Sequence, residues 1–238
     1  MGFLTGKTAI ITGAGRAVLS DGRCGSIGYG IATAYAKEGA NLVITGRNEA
    51  KLAAAKEELE RLYDIKVLTI QADVNASADN EAVVANVVKQ TIDTFGQIDV
   101  LINNAGMGIS GAAEFAEDAD VRHQLDVNYI GAWRCTRAAL PLLRRGGRGR
   151  ILFVSSLGAL FPLPFQSFYS ASKAAMLTLS DCLRLELAPF GLESCALLLN
   201  DVKTDFTASR QKNHIGNDLY AGRIDASVAK MEASEQTG

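Results

Sequence analysis

The chain has 238 residues, of which 48% are hydrophobic, and its formal net charge is −2 at pH 7. That length and that apolar fraction suffice for one large α/β domain with a sizeable core. A charge balance so close to neutral gives no electrostatic reason to expect nucleic acid or an anionic membrane as a partner. The longest apolar stretch, residues 151–165, contains two serines and two prolines, so we predict no membrane span.

The four cysteines are scattered along the chain without the spacing of metal ligands. No secretory signal precedes the first strand pattern, and reduced thiols are the default in the cytosol. We therefore predict a cytoplasmic protein without a metal site.

Short apolar strand patterns alternate with helical patterns along most of the chain. Strands are predicted over residues 8–12, 41–45, 67–71, 100–103, 151–155 and 193–199. Helices are predicted over residues 27–38, 49–63, 78–95 and 169–188, and over a long region, 115–145, that is bent or interrupted near Asp126. Apolar strands separated by helices indicate a Rossmann-type, doubly wound parallel sheet in a three-layer α/β/α arrangement.

We expect a single domain over residues 1–238, with its core at 5–200. Residues 201–238 are expected to form a substrate-side loop and a tail. Periodicity fades after Asp205 and the tail is polar, so we expect part of it to be mobile.

Glycines follow the first predicted strand, where a dinucleotide-binding fold needs them. Gly13 and Gly15 come directly after the strand, and Gly28 lies at the start of the first helix. Glycine lets the backbone approach a pyrophosphate, and the helix N-terminus offers free N–H groups and a positive dipole end. About nine extra residues, within 16–25, separate the first glycines from the helix, which is an unusual spacing.

The residue after the second predicted strand selects the nucleotide. A fold selective for NAD usually places Asp or Glu there to bind the ribose 2′-OH, whereas this chain has Arg47. A guanidinium suits a 2′-phosphate, and no carboxylate repels it. We therefore predict NADP(H) rather than NAD(H), with Arg16 as a second phosphate candidate. The alternative is that Arg47 is a solvated loop residue.

Tyr169 and Lys173 are the residues expected to move a proton in step with a hydride. They are four residues apart in a helical segment, so both lie on one helical face. The pKa of an unperturbed tyrosine is about 10, and we expect the nearby ammonium to lower it. Ser156 ends a strand pattern and is placed to hold a substrate oxygen against the tyrosine.

Together, these residues resemble the short-chain dehydrogenase/reductase superfamily over roughly residues 5–206. The Asn-Asn-Ala-Gly run at 103–106 matches the family motif in full, and the separation of thirteen residues between Ser156 and Tyr169 is the family's own. Asn128 matches the family's helix asparagine, and Asp73 with Val74 matches its adenine contact after the third strand.

The resemblance implies a role for each member of a catalytic quartet. Tyr169 acts as general acid or base, and Ser156 orients the carbonyl and stabilises the oxyanion. Lys173 lowers the tyrosine pKa and contacts the nicotinamide ribose, while Asn128 holds a water for proton relay. The predicted cofactor site combines the motif positions with the glycine loop and the two arginines. Its members are Gly13, Gly15, Arg16, Ser26, Ile27, Gly28, Arg47, Asp73, Val74, Asn104, Ala105, Gly106, Tyr169, Lys173, Val202 and Thr204.

Two positions depart from the family pattern. Ser26 stands where a glycine is expected, and Leu199-Asn200 replaces the usual Pro-Gly after the sixth strand. Asn tolerates a left-handed backbone better than most residues, so the second turn can survive the change.

The resemblance also bears on the substrate. Residues 163–165, 169–173 and 186–191 are similar to the 17β-hydroxysteroid and retinol dehydrogenase branch, which implies a lipophilic carbonyl or alcohol. Residues 26–32 resemble bacterial enoyl-acyl-carrier-protein reductases, which space their tyrosine and lysine more widely.

We therefore expect an oxidoreductase that interconverts a ketone and a secondary alcohol on a small-molecule substrate. Two alternatives stay open: a reductase of 3-oxoacyl thioesters in fatty-acid synthesis, and a non-catalytic protein that senses a dinucleotide. Members of the family commonly assemble through their two long helices, here around residues 125–143 and 170–188. The resemblance thus implies a homodimer or homotetramer.

Overall fold

The computed structural model describes residues 2–75 and 79–237. Its strands are β1 (Thr8–Thr12), β2 (Asn41–Gly46), β3 (Val67–Gln71), β4 (Val100–Asn103), β5 (Ile109–Ser110), β6 (Gly149–Ser156), β7 (Leu192–Leu199) and β8 (Gln211–Lys212). Its helices are α1 (Ile27–Lys37), α2 (Glu49–Leu62), α3 (Asp79–Phe95), α4 (Asp118–Leu125), α5 (Gly131–Arg145), α6 (Ser167–Leu187), α7 (Phe206–Ser209) and α8 (Arg223–Glu235).

Six strands form one parallel sheet in the order β3-β2-β1-β4-β6-β7. The chain runs outward from β1 to β3 on one side and from β4 to β7 on the other. The order therefore reverses between β1 and β4, and ligands of open α/β sheets bind in the crevice outside the carboxyl ends of the strands at such a switch point.

Helices cover both faces of the sheet because its strands are apolar on both faces. Ala9 and Ile11 of β1 pack toward α1 and α2 in one buried cluster. Ile10, between them, points the other way and joins a cluster with residues of α3, α5 and α6. The predicted three-layer, doubly wound fold in a single domain is confirmed.

The predicted strands and helices of residues 8–199 all form, with ends that differ by a few residues. The strand predicted over 151–155 is longer, and α6 begins at Ser167 rather than at Tyr169. Ala78, the predicted first residue of the third helix, lies outside the described residues. The expected bend near Asp126 is a π-helical turn, Asp126–Ile130, between α4 and α5.

The tail contains more structure than the fading periodicity predicts. Helix α7, strand β8 and the 13-residue helix α8 follow β7, and β8 pairs with β5 in a separate two-stranded sheet. The reason is that α8 buries only Ile224 and Val228, too few positions for a clear apolar stripe in the sequence. Within the described residues, no helix combines the length and the apolar character needed to cross a membrane.

Candidate active site

Three of the four predicted catalytic residues lie where β6 meets α6. Ser156 is the last residue of β6, and its Oγ accepts a hydrogen bond from the Gly158 backbone N at 3.0 Å. Tyr169 and Lys173 lie on the first two turns of α6. The Ser156 side chain lies close enough to the Tyr169 hydroxyl to lower its pKa. The structure thus brings together the hydroxyl pair that the sequence predicts.

Asn128, the fourth member, lies in the π-helical turn and is fully buried. Its side chain bonds the Met107 backbone twice: Oδ1 accepts from N at 2.8 Å, and Nδ2 donates to O at 3.0 Å. Nδ2 also lies 3.0 Å from Ser172 Oγ, on α6. A π-helical turn often marks a functional position, because it redirects one side chain out of the helical register. Here it connects the segment after β4 to α6.

The Lys173 ammonium is buried without a carboxylate partner in the described part of the chain. It donates a hydrogen bond to the Val154 carbonyl at 2.9 Å. A Cβ at Gly106 would lie 3.5 Å from Lys173 Nζ and 3.4 Å from Asn128 Oδ1, so both polar groups face this glycine. Burial lowers the pKa of Lys173 to about 8.

The shift of the Tyr169 pKa is opposite to the one predicted from Lys173. Burial raises the pKa of Tyr169, and this effect outweighs a lowering by the Ser156 hydrogen bond and by the positive charge of Arg210. The Lys173 ammonium lies 5.7 Å from the centre of the Tyr169 ring and donates to the backbone. The prediction that Lys173 lowers this pKa is therefore wrong for this structure.

The Asn-Asn-Ala-Gly motif packs directly against the glycine loop at the switch point. Asn104 Nδ2 donates to the carbonyls of Thr12 and Gly13, at 2.8 and 3.0 Å. The backbone N–H groups of Asn104 and Ala105 both donate to Thr12 Oγ1 at 3.0 Å. Gly28 is required here because a Cβ would lie 2.4 Å from Gly13 O and 2.5 Å from Asn104 Nδ2. The predicted cofactor residues of the loop after β1 and those of the segment after β4 are therefore in contact.

The inserted residues 16–25 form a small hairpin, a structure that the sequence analysis does not predict. Val18 and Cys24 form an antiparallel bridge, and Gly25 N donates to Ala17 O at 2.8 Å. Ser26 is the N-cap of α1, where its Oγ accepts from Tyr29 N at 3.3 Å. A serine is a favoured N-cap, which explains its place just before Ile27 at the helix start.

The two predicted phosphate residues differ in their surroundings. The Arg16 guanidinium is ion-paired with Glu58, which also accepts a hydrogen bond from the Tyr29 hydroxyl at 2.8 Å. Arg47 is exposed after β2, and its backbone carbonyl accepts a hydrogen bond from Gln71 Nε2 at 3.0 Å. Gly15 packs against Lys51, whose carbonyl accepts from Arg16 N.

The remaining predicted cofactor residues line the carboxyl ends of β3 and β7. Asp73 follows β3, and its Oδ1 accepts from Asn75 N at 3.1 Å, while Val74 is buried with its carbonyl against Gly131. Val202 is exposed and Thr204 is buried after β7. Asn200 does not use its left-handed tolerance, since the described non-glycine residues with positive φ are Phe165 and Ala221.

Sequence reasoning missed three residues that contribute to the surroundings of Tyr169. The ring of Phe206 lies 6.1 Å from the Tyr169 ring, centre to centre. The charges of Arg210 and Glu235 act on the pKa of Tyr169 in opposite directions. Only the four-residue spacing of Phe206 and Arg210 could have suggested a shared face, and nothing local could have linked them to Glu235.

Comparisons with known proteins agree with this geometry. A family model described as short chain dehydrogenase matches residues 7–215. The 12alpha-hydroxysteroid dehydrogenase of Clostridium sp. is 46% identical over 184 residues, which make up 76% of this chain and 67% of that protein. The 3-ketodihydrosphingosine reductase of Bacteroides thetaiotaomicron is 38% identical over 175 residues, 73% of this chain and 64% of that protein. The chain thus spans about two thirds of the length of these relatives.

Two solved structures show the same fold. The L-sorbose reductase of Gluconobacter frateurii, complexed with NADPH and L-sorbose, is 30% identical with a TM-score of 0.75, and the match covers 83% of this chain and 70% of that one. A short chain dehydrogenase/reductase of Burkholderia phymatum in complex with NAD has a TM-score of 0.83 over 100% of this chain and 82% of its own. Its identity is 24%, so it supports the fold alone.

Proposed function

The chain belongs to the short chain dehydrogenase family, and from that premise we propose that it is an NADP(H)-dependent oxidoreductase that interconverts a ketone and a secondary alcohol. The observation that carries the proposal is that Ser156, at the end of β6, acts on the Tyr169 hydroxyl, and that Tyr169 lies one helical turn from the buried Lys173. These groups lie at the carboxyl edge of the sheet, on the side where the strand order reverses.

The residues present fit a bound nicotinamide dinucleotide. Gly13 and Gly28 keep the loop after β1 free of side chains, and Gly106 leaves space in front of Lys173. The Lys173 ammonium has three donors and uses one on Val154. Its other two donors suit the hydroxyls of a ribose. These free donors support the ribose contact that the family resemblance implies for Lys173.

The hydride comes from the nicotinamide when that cofactor is bound, and the side chains handle the proton. Tyr169 donates its proton to the carbonyl oxygen as general acid. Its raised pKa keeps the phenol protonated at neutral pH, as reduction requires. Ser156 donates a hydrogen bond to the same oxygen and stabilises its developing charge. Asn128 fixes the backbone at Met107 and holds a water that reprotonates the site through Lys173.

The preference for NADP(H) rests on Arg47. It is exposed at the end of β2, where a fold selective for NAD has a carboxylate. We expect Arg47→Asp to lower the NADPH/NADH preference by about tenfold to a hundredfold, the contribution of hydrogen bonds to a charged group. Binding titrations of both cofactors measure it, and an unchanged preference would remove Arg47 from the phosphate site.

The substrate is proposed to be lipophilic. A 12alpha-hydroxysteroid dehydrogenase and a 3-ketodihydrosphingosine reductase are among the relatives, and the aromatic ring of Phe206 packs against that of Tyr169. Oxidation of NADPH should be followed with a panel of steroid, quinone, sugar and 3-oxoacyl-thioester ketones. Turnover of a steroid or another hydrophobic ketone supports the proposal. Turnover of the thioester alone favours fatty-acid synthesis, and tight cofactor binding without turnover favours a sensor.

Self-association through α5 and α6 is proposed as well. Trp133 on α5 and Leu185 on α6 expose 37% and 68% of their surface, and Arg137 stacks on Trp133 at 4.5 Å. Light scattering of the wild type and of Leu185→Glu tests the contact, and a wild-type monomer contradicts it. The cytoplasmic location stays a prediction.

A further inference from the structure

The segment after β7 forms a wall on the substrate side of Tyr169. Phe206, the first residue of α7, packs against the Tyr169 ring and lies close to Gly108. Strand β8 pairs with β5, and Gln211 N donates to Gly108 O at 3.0 Å. This wall is therefore attached to the chain that follows the Asn-Asn-Ala-Gly motif.

Arg210 connects this wall to helix α8. Its side chain is 1% exposed, and Nη2 lies 2.5 Å from Glu235 Oε1. The guanidinium carbon lies 5.6 Å from the centre of the Phe206 ring. Glu235 Oε2 accepts from Thr207 Oγ1 at 2.5 Å, so one carboxylate bonds both ends of α7. The same arginine thus contacts the ring that packs on Tyr169 and the helix that lies beyond it.

Charged side chains help to hold the C-terminal half of α8, together with the partly buried Met231, which Gln166 contacts. The buried apolar residues of this helix, Ile224 and Val228, lie in its first half. In its second half, Glu232 contacts Lys212 at 2.8 Å and Arg210 at 3.5 Å, and Glu235 pairs with Arg210. Loss of the ion pair would therefore free this half of the helix before the rest of the fold.

A buried ion pair is weak support for stability, because desolvation offsets most of the attraction. Among the described residues, Arg210 Nε is buried and makes no hydrogen bond, whereas Nη1 has an ion pair with Glu232 at 3.5 Å. Buried donors without partners are uncommon in folded proteins and ask for a functional explanation. The position of the Arg210–Glu235 pair, between Tyr169 and α8, offers such an explanation.

We propose that Arg210 and Glu235 are positioning residues for the reaction at Tyr169. Their ion pair holds Phe206 and α8 against the substrate side of the tyrosine, so that the wall of the substrate pocket is preformed. The inference rests on the proposed function, since it takes Tyr169 as the proton donor.

The two charges of the ion pair also act on the pKa of Tyr169, which gives the inference a measurable readout. Besides the Ser156 hydroxyl on β6 and Lys173 on its own helix, the charged groups that face Tyr169 are Arg210, between α7 and β8, and Glu235 on α8. Arg210 lowers the pKa of Tyr169 and Glu235 raises it. The direct effects of these two charges oppose each other, whereas an opened wall lowers the pKa in either variant, because burial is the main cause that raises it.

The experiment is a titration of tyrosinate absorbance on cofactor-free protein, with Tyr169→Phe subtracted in every background. Glu235→Gln and Arg210→Gln should both lower the pKa of Tyr169, because either change opens the wall and lets water reach the hydroxyl. The double variant Arg210→Leu with Glu235→Leu should titrate close to the wild type. It keeps apolar volume without a buried unpaired charge, so it tests the inference even if Arg210→Gln fails to fold.

Kinetics on an identified ketone provide the second readout. Each single variant should raise KM about tenfold, since small misplacements of a substrate wall are costly, and should leave NADPH binding unchanged. The control is Arg150→Gln, which breaks an exposed ion pair with Glu193 and should change neither quantity.

Two results overturn the inference: a Tyr169 pKa that does not move in either single variant, or one that rises in Arg210→Gln and falls in Glu235→Gln, as the charges alone would cause with the wall in place. Absence of turnover on every ketone rejects the proposed function instead. The titration needs no turnover, so the two failures are distinguishable.

Discussion

The cofactor side and the tail of this molecule are held together by different forces. On the cofactor side, the Asn104 side chain donates to the backbone carbonyls of Thr12 and Gly13, and one glycine, Gly28, makes that approach possible. In the tail, the contacts are between long side chains, chiefly Arg210 with Glu235 and Lys212 with Glu232. The first kind of contact tolerates almost no change of residue, whereas the second can open and close without disturbing the sheet.

Gly28→Ala should disrupt the cofactor site, because it adds one methyl group where the loop after β1 and α1 are closest. The added Cβ would overlap Gly13 O and Asn104 Nδ2, so the loop must move away from the helix. We expect NADPH affinity to fall by about a hundredfold or more, since the overpacking of such a site costs up to about 3 kcal/mol. Fluorescence titration measures it.

Gly30→Ala is the matched control in the same helix. A Cβ at Gly30 would meet only Cys24 Sγ, at an ordinary 3.8 Å, and alanine favours the helix by about 1 kcal/mol. If both variants bind NADPH equally well, the close approach at Gly28 is not what shapes the site.

Lys173→Met should stabilise the cofactor-free protein while it abolishes activity. Burial holds the pKa of Lys173 near 8 against 10.5 in the unfolded chain, which corresponds to about 3 kcal/mol. The lost hydrogen bond to Val154 offsets about 1 kcal/mol of this gain. Denaturant unfolding near pH 7 measures the difference.

The pH dependence of that difference has a definite sign. Below about pH 8 the lysine is charged in both states, so the gain of the variant is complete. Between about pH 8 and 10.5 the unfolded wild type binds more protons than the native state, and wild-type stability rises toward that of the variant. A gap that stays constant to pH 10.5 would show that Lys173 is not desolvated, and Lys89→Met, at an exposed position, is the control.

Val228→Ala should have the smallest effect and should confine it to the tail. Val228 is one of two buried apolar residues of α8, and its truncation costs about 1 kcal/mol. We expect faster amide exchange in α8 with no change in β1 or β4, because the tail opens locally. Ile215→Ala, at an exposed position of the tail, is the control. Equal acceleration throughout the sheet would mean that the two regions unfold as one.

The same contrast explains what the sequence could predict. The strands follow from short apolar runs, and the π-helical turn appears where the bend was expected near Asp126. The contacts of Asn104 follow from a motif because they are made to backbone groups and to a position that only glycine can fill. These features depend on neighbours in the sequence or on residue types with few substitutes.

The features that the sequence did not predict depend on distant contacts. The hairpin at 16–25 carries no apolar alternation, and α8 has two buried positions where a helical pattern needs more. The predicted direction of the Tyr169 pKa shift was wrong. The spacing to Lys173 is visible in the sequence, whereas the burial that raises the pKa is not. Arg210 and Glu235 are 25 residues apart, and no local pattern joins them.

The central claim is that Tyr169 donates the proton, and the most direct measurement is kcat of Tyr169→Phe on an identified ketone. The variant keeps the ring against Phe206 and removes only the hydroxyl, so kcat should fall about a hundredfold to ten-thousandfold with NADPH binding intact. Tyr63→Phe, at the end of α2, should retain wild-type kcat. A Tyr169→Phe enzyme that turns over at the wild-type rate would contradict the account.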